Sequence, residues 1–166
     1  MTKSDASARF AAAARAAGVD VEPIVYPDCS RTAVDAARAV GCAVAQIVKS
    51  LVLVGPEGPL LVLTAGDHRV DVDRLGELVG GEVRMATPDE VRAASGFAIG
   101  GTPPFGHPEP VATFLDPSLL RHEVVHAAAG TPSSCFPIDP ATLLRVTDAT
   151  VSEAVFADLD PNGSGG

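Results

Sequence analysis

Two apolar runs constrain this chain most: Ile47-Val48-Lys49-Ser50-Leu51-Val52-Leu53-Val54 and Leu60-Leu61-Val62-Leu63-Thr64, separated by Gly55-Pro56-Glu57-Gly58-Pro59. Branched aliphatic residues suit the pleated strand, and a Gly/Pro cluster turns the chain. Together they predict an antiparallel hairpin of buried strands. One residue breaks the pattern. Side chains alternate across a strand, so Lys49 shares a face with Ile47, Leu51 and Leu53, while Gln46, Val48, Ser50 and Val52 take the other.

The flanking sequence supplies clear punctuation. Residues 4–17 predict an Ala-rich helix with Phe10, Ala13, Ala14 and Ala17 on one side, stopped by Gly18. Residues 21–26 predict a short strand ended by the turn Pro27-Asp28. Thr32 caps a second helix that runs to Val40, with Gly41 just past its end. Residues 64–81 turn into a third helix with Val72, Leu75, Leu78 and Val79 as its buried stripe. A strand is expected at 83–86. Thr87-Pro88-Asp89-Glu90 then combines an N-cap, a proline at the first helical position and a glutamate three after the cap, and Gly96 ends that helix. Residues 111–115, 123–127 and 136–138 read as extended, and Asp139-Pro140 starts a last helix through Leu143, Leu144 and Val146. Helices and strands mix without regular βαβ alternation. The expected class is α+β, one domain over residues 1–157 with a mixed, strongly curved sheet flanked by helices, and a disordered tail over 158–166.

Charge and cysteine content exclude several classes. The formal charge is −9 over 166 residues, with no basic stripe to displace counterions from a duplex. Binding to DNA is therefore not expected, although a nucleic-acid end or single phosphate could still be gripped. The only lysines are Lys3 and Lys49, against ten arginines, which sets Lys49 further apart. Cys29, Cys42 and Cys135 form no CxxC pair, so free thiols are expected. His122-Glu123-Val124-Val125-His126 spells HExxH, but residues 123–127 read as a strand and not as the helix that brings such a histidine pair together, so no metal is expected, at these or at His68 and His107, and nothing calls for a cofactor. The N-terminus carries no apolar signal core, and no apolar run is long enough for a bilayer. A cytoplasmic protein is expected, without a membrane partner.

Three features could carry chemistry. Lys49 could be a strand lysine whose stem is buried and whose ammonium reaches water, a fixed cation awaiting a phosphate or carboxylate, or a Schiff-base lysine. The stretch Gly100-Gly101-Thr102-Pro103-Pro104-Phe105-Gly106 is bare and stiff, either a tight surface connection or a preorganised pocket wall. His107 adjoins it as a site neighbour. The third feature, Ala127-Ala128-Ala129-Gly130-Thr131-Pro132-Ser133-Ser134, follows an apolar strand with small residues and hydroxyls. It could line a small polar pocket, yet it matches no phosphate-loop motif.

In order, QIVKSLVLV, LTAGDHRVD, VRMATPDEV, SGFAIGGTPPFGH, TFLD and AAGTP resemble the YbaK/ProX family of aminoacyl-tRNA deacylases, relatives of the editing domain of bacterial prolyl-tRNA synthetases. The resemblance covers residues 20–150. It implies a barrel-like editing-domain fold and hydrolysis of an amino acid wrongly attached to tRNA, most often tRNA for proline. The partner is then the 3′ end of a mischarged tRNA, with prolyl-tRNA synthetase as a further partner. The resemblance gives Lys49 the phosphate of the terminal adenosine, and Gly101 a catalytic place in the loop. Gly100, Thr102, Pro103, Pro104, Phe105, Gly106, His107, Ala129, Gly130 and Thr131 are then the substrate-binding residues. Water would be activated by the substrate's own ribose hydroxyl. Some members carry a Ser-Gly-Gly turn where this chain has Ala128-Ala129-Gly130, which bears on amino-acid specificity. Two other readings are a nucleotide-binding module without catalysis and a lysine-dependent carbonyl enzyme.

Overall fold

The structure, a computed structural model, describes residues 2–26, 32–153 and 155–159. In chain order the elements are α1 (Lys3–Ala16), β1 (Ile24–Val25), α2 (Ala33–Val40), β2 (Ile47–Gly55), β3 (Gly58–Ala65) and β4 (His68–Val70). They continue with α3 (Val72–Val79), β5 (Arg84–Met85), α4 (Pro88–Ser95), β6 (Ala112–Leu115), β7 (Val125–Ala128) and β8 (Ser134–Ile138). Last come α5 (Pro140–Thr147), β9 (Thr150–Val151) and β10 (Phe156–Asp158).

Caps fix the helices where the sequence places them. Thr32 accepts from the amide of Asp35, and Gly41 closes α2 in the left-handed region at φ 76°. Thr87 and Glu90 form a reciprocal capping box around Pro88 at the head of α4.

The hairpin β2–β3 is the centre of the sheet, paired from Val48↔Ala65 to Gly55↔Gly58. The strand order is β1-β8-β7-β2-β3-β6-β9, with β5 also on β2. Pairs β2–β7, β3–β6 and β6–β9 are parallel and the others antiparallel, so the sheet is mixed. Its end strands β1 and β9 do not meet, and the barrel-like sheet stays open. A second, two-stranded sheet joins β4 to β10.

The two faces of β2 bury different cores. Val48 and Val52 join Leu61, Leu63, Phe97, Phe136, Leu143 and the α1 residues Ala6, Phe10 and Ala14 in the main core. Phe10 packs on Phe136 at a 4.7 Å ring separation and on Phe105 at 5.7 Å. On the other face Ile47 packs with Ala36 and Ala37 of α2, whereas Leu51 and Leu53 pack with Val62 and Leu75 under α3. Along β2, Lys49 lies between these two smaller clusters, after Ile47 of one and before Leu51 of the other.

Three expectations change. The strand expected over 21–26 is only Ile24–Val25, and the turn Pro27-Asp28 lies outside the described residues. The stretch assigned to the third helix first makes β4, because Arg69 and Val70 pair with Ala157 and Phe156, a partner nearly ninety residues away. For the same reason Asp158, placed in the tail, belongs to β10, while residues 160–166 lie outside the description. Among the described residues no helix is long and apolar enough to cross a membrane.

Candidate active site

Lys49 is half-buried, and its Nζ donates to the His68 carbonyl at 2.6 Å. Burial lowers its pKa below the usual lysine value, and the opposing attraction of Asp67 and Asp116 is smaller. The ammonium is therefore held at a cost in a fixed direction. The register aligns neighbours across the same face: Thr64 pairs with Lys49, and His126 pairs with Ile47, two residues before Lys49 on β2. Thr64 Oγ1 and His126 Nδ1 are buried and have no hydrogen-bond partner among the described residues. Burial also lowers the pKa of His126, which disfavours its charged form. Buried polar atoms without partners on the face of a half-buried cation make this face a candidate site.

Behind Lys49 stands a network of His68, Asp116 and Ser118. Asp116, buried at 1% exposure, accepts from the amide of Ala65 at 3.1 Å and from the amide and hydroxyl of Ser118 at 3.0 and 2.8 Å. His68 Nδ1–H donates to the same carboxylate at 2.7 Å, and His68 Nε2 lies 3.3 Å from Asp158 Oδ1. His68 and Asp116 are 48 residues apart and no spacing rule links them.

The glycine loop is mostly interior. A Cβ on Gly101 would sit 2.8 Å from Thr131 Cα, so glycine is needed for the backbone of this loop to touch the 127–134 loop. The Gly101 amide, however, donates to Ala98 O at 3.0 Å, so its contribution here is close approach rather than an offered N–H. Gly100 is exposed at the outer edge of that contact. Thr102 donates to Ala98 O at 3.2 Å, and His107 Nε2–H donates to Pro103 O at 2.8 Å. Pro104 is buried, and Phe105 lies against Phe10 and Phe136 as a core ring. Gly106 and His107 border a groove of about 680 Å³ with Glu109, Thr113 and Asp148. His107 also adjoins Val52 and Leu61, on the sheet face opposite Lys49. Lys49 and His107 thus do not converge.

The third segment meets the second. Ala129 is buried, and at Gly130 (φ 103°) a Cβ would come 2.8 Å from Ala6 O of α1. Thr131 Oγ1 and Ser134 Oγ bond each other at 2.8 Å, so these hydroxyls serve the loop itself. Cys42 and Cys135 are free, and burial pushes the Cys135 thiol up to about 11, far from a neutral-pH nucleophile.

A family model described as the aminoacyl-tRNA editing domain matches residues 29–146, a span that holds Lys49, the glycine loop and Asp116. The chain belongs to this family. It is 35% identical over 137 residues to the uncharacterized protein YwhH of Bacillus subtilis, covering 81% of this chain and 87% of YwhH. It is 25% identical over 119 residues to EbsC of Enterococcus faecalis, a candidate Cys-tRNA(Pro)/Cys-tRNA(Cys) deacylase, covering 70% and 73%. The crystal structure of a candidate trans-editing enzyme for prolyl tRNA synthetase superposes with a TM-score of 0.86 at 44% identity, covering 90% of this chain and 96% of that one.

In this editing domain the contact between the two small-residue loops yields a direct test. Gly101→Ala forces the Thr131 backbone to move, and overpacking of that kind costs about 1–3 kcal/mol. Thermal unfolding is expected earlier than in the parent protein; an unchanged midpoint would mean that the loops are not in contact.

Proposed function

We propose that this editing domain hydrolyses, in trans, the ester of mischarged aminoacyl-tRNA, with tRNA for proline carrying a small residue such as alanine or cysteine as the substrate class. The cytoplasm is where charged tRNA is met, and prolyl-tRNA synthetase is the source of the error. The observation that carries the reading is the desolvated, directed Lys49 ammonium on a face that also holds unspent polar atoms. That face suits a single phosphate rather than a long backbone, in keeping with a net charge of −9.

The chemistry asks little of the protein. An aminoacyl ester is already reactive, and a 10⁴-fold gain takes only about 5.4 kcal/mol off the barrier. A charge-assisted hydrogen bond from Lys49 to the terminal phosphate supplies about 1.5–3 kcal/mol, and alignment of the ester with a water held by the substrate's ribose hydroxyl supplies the rest. No protein nucleophile enters. Ala128 at the end of β7 and Gly101 held against Thr131 keep the two loops free of bulk, and no acid lies within those loops to receive a charged side chain.

The test is parallel hydrolysis of alanyl-, cysteinyl-, phenylalanyl- and lysyl-tRNA at equal concentrations. The two small substrates are expected to be cleaved faster, with little discrimination between them, because so small a difference in a pocket is worth only about 1–3 kcal/mol. Ala128→Val should slow both. Faster cleavage of a large substrate would contradict the small-residue preference, and no cleavage of any would contradict the activity.

A further inference from the structure

We infer that His68 is a positioning residue for Lys49, acting through its backbone carbonyl while its imidazole is clamped between Asp116 and Asp158; this rests on the reading of Lys49 as the group that holds the substrate. The carbonyl that receives the Lys49 ammonium opens β4, a three-residue strand whose ladder is to β10 alone. A two-stranded ladder of that length is marginal by itself. On the Lys49 side β4 is joined to the main sheet by its two-residue connection to β3, where the Gly66 amide donates to Ile47 O at 2.8 Å, and by the 2.7 Å bond from His68 Nδ1–H to Asp116, itself fixed to the end of β3 by the Ala65 amide. On the outer side Asp158 brings β10 against the same ring at 3.3 Å. Through this clamp the chain's last described strand sets where the ammonium points. The charged or titratable groups around the ring are Asp67, Asp116, Asp158 and Lys49.

The chain's two lysines make the inference measurable. With 15N-lysine labelling, and Lys3→Arg to assign the signals, the Lys49 ammonium is expected as a resonance protected by its hydrogen bond. His68→Ala should broaden or shift that resonance and lower kcat/KM on alanyl-tRNA about tenfold, the low end of what a charge-assisted hydrogen bond is worth. His68→Asn, whose amide can still donate to Asp116, should recover most of both. Asp158→Ala alters an exposed side chain, so it reads the clamp even if His68→Ala fails to fold; a smaller change in the same direction is expected. An unperturbed Lys49 resonance in folded His68→Ala, or in Asp158→Ala if His68→Ala does not fold, overturns the inference whatever the activity. A perturbed resonance with an unchanged rate overturns the link to catalysis. If the parent protein cleaves no ester, the resonance still decides the positioning, and only the functional reading falls.

Discussion

Replacing Lys49 with alanine is expected to lower deacylation about 10- to 150-fold, the worth of a charge-assisted hydrogen bond of about 1.5–3 kcal/mol. The fold should survive, because Lys49 sits between two apolar clusters rather than inside either. Lys49→Met keeps the stem's packing and should lose activity equally. The pH dependence follows from the lowered pKa. Between that value and the ordinary lysine value the unfolded chain binds more protons than the folded one. This residue's contribution to stability therefore rises with pH through that window, and at neutral pH burial of the ammonium is a cost. Within the same window the ammonium is lost, so the rate difference between parent and Lys49→Ala should shrink. Initial rates across alkaline pH check both; a folded Lys49→Ala protein with undiminished activity would remove the residue from the mechanism.

Asp116→Ala is expected to be the most damaging of these substitutions to stability. It leaves the Ala65 and Ser118 amides and the His68 ring without their buried acceptor. Removing one partner from a buried charged network costs about 3–5 kcal/mol, which for a chain of this size lowers the unfolding midpoint by about 6–20 °C. Asp116→Asn retains acceptor oxygen and should fall between the two. Thermal denaturation followed by circular dichroism measures it, and an unchanged midpoint for the alanine variant would show that the network does not hold β3, β4 and the Pro117–Arg121 turn together.

What the sequence revealed was local. The Thr32 and Thr87 caps, the glycine stops and the Lys49 hairpin are each decided within a few residues, so their spacing was sufficient. The β4–β10 ladder and the His68–Asp116 bond depend on partners distant along the chain, and no periodicity announces them. Asp116, the last residue of TFLD, also opens the connector that follows, since its Oδ1 caps Ser118. The glycine loop was recognisable as rigid and bare, yet its composition could not reveal which way each residue turns. Gly101 proves to be a point of close approach, Phe105 a core ring and His107 a neighbour of the far face. His68, to which no role was given, lies nearer to Lys49 than the histidine placed beside the loop.

On the proposed function, this editing domain turns over an aminoacyl ester rather than merely holding one. The most direct test is release of labelled alanine from alanyl-tRNA for proline at substrate excess, with Lys49→Ala alongside. Many equivalents of free alanine per protein, reduced at least tenfold in the variant, are the predicted result. A tight complex with the ester intact, or release at the uncatalysed rate, would contradict it.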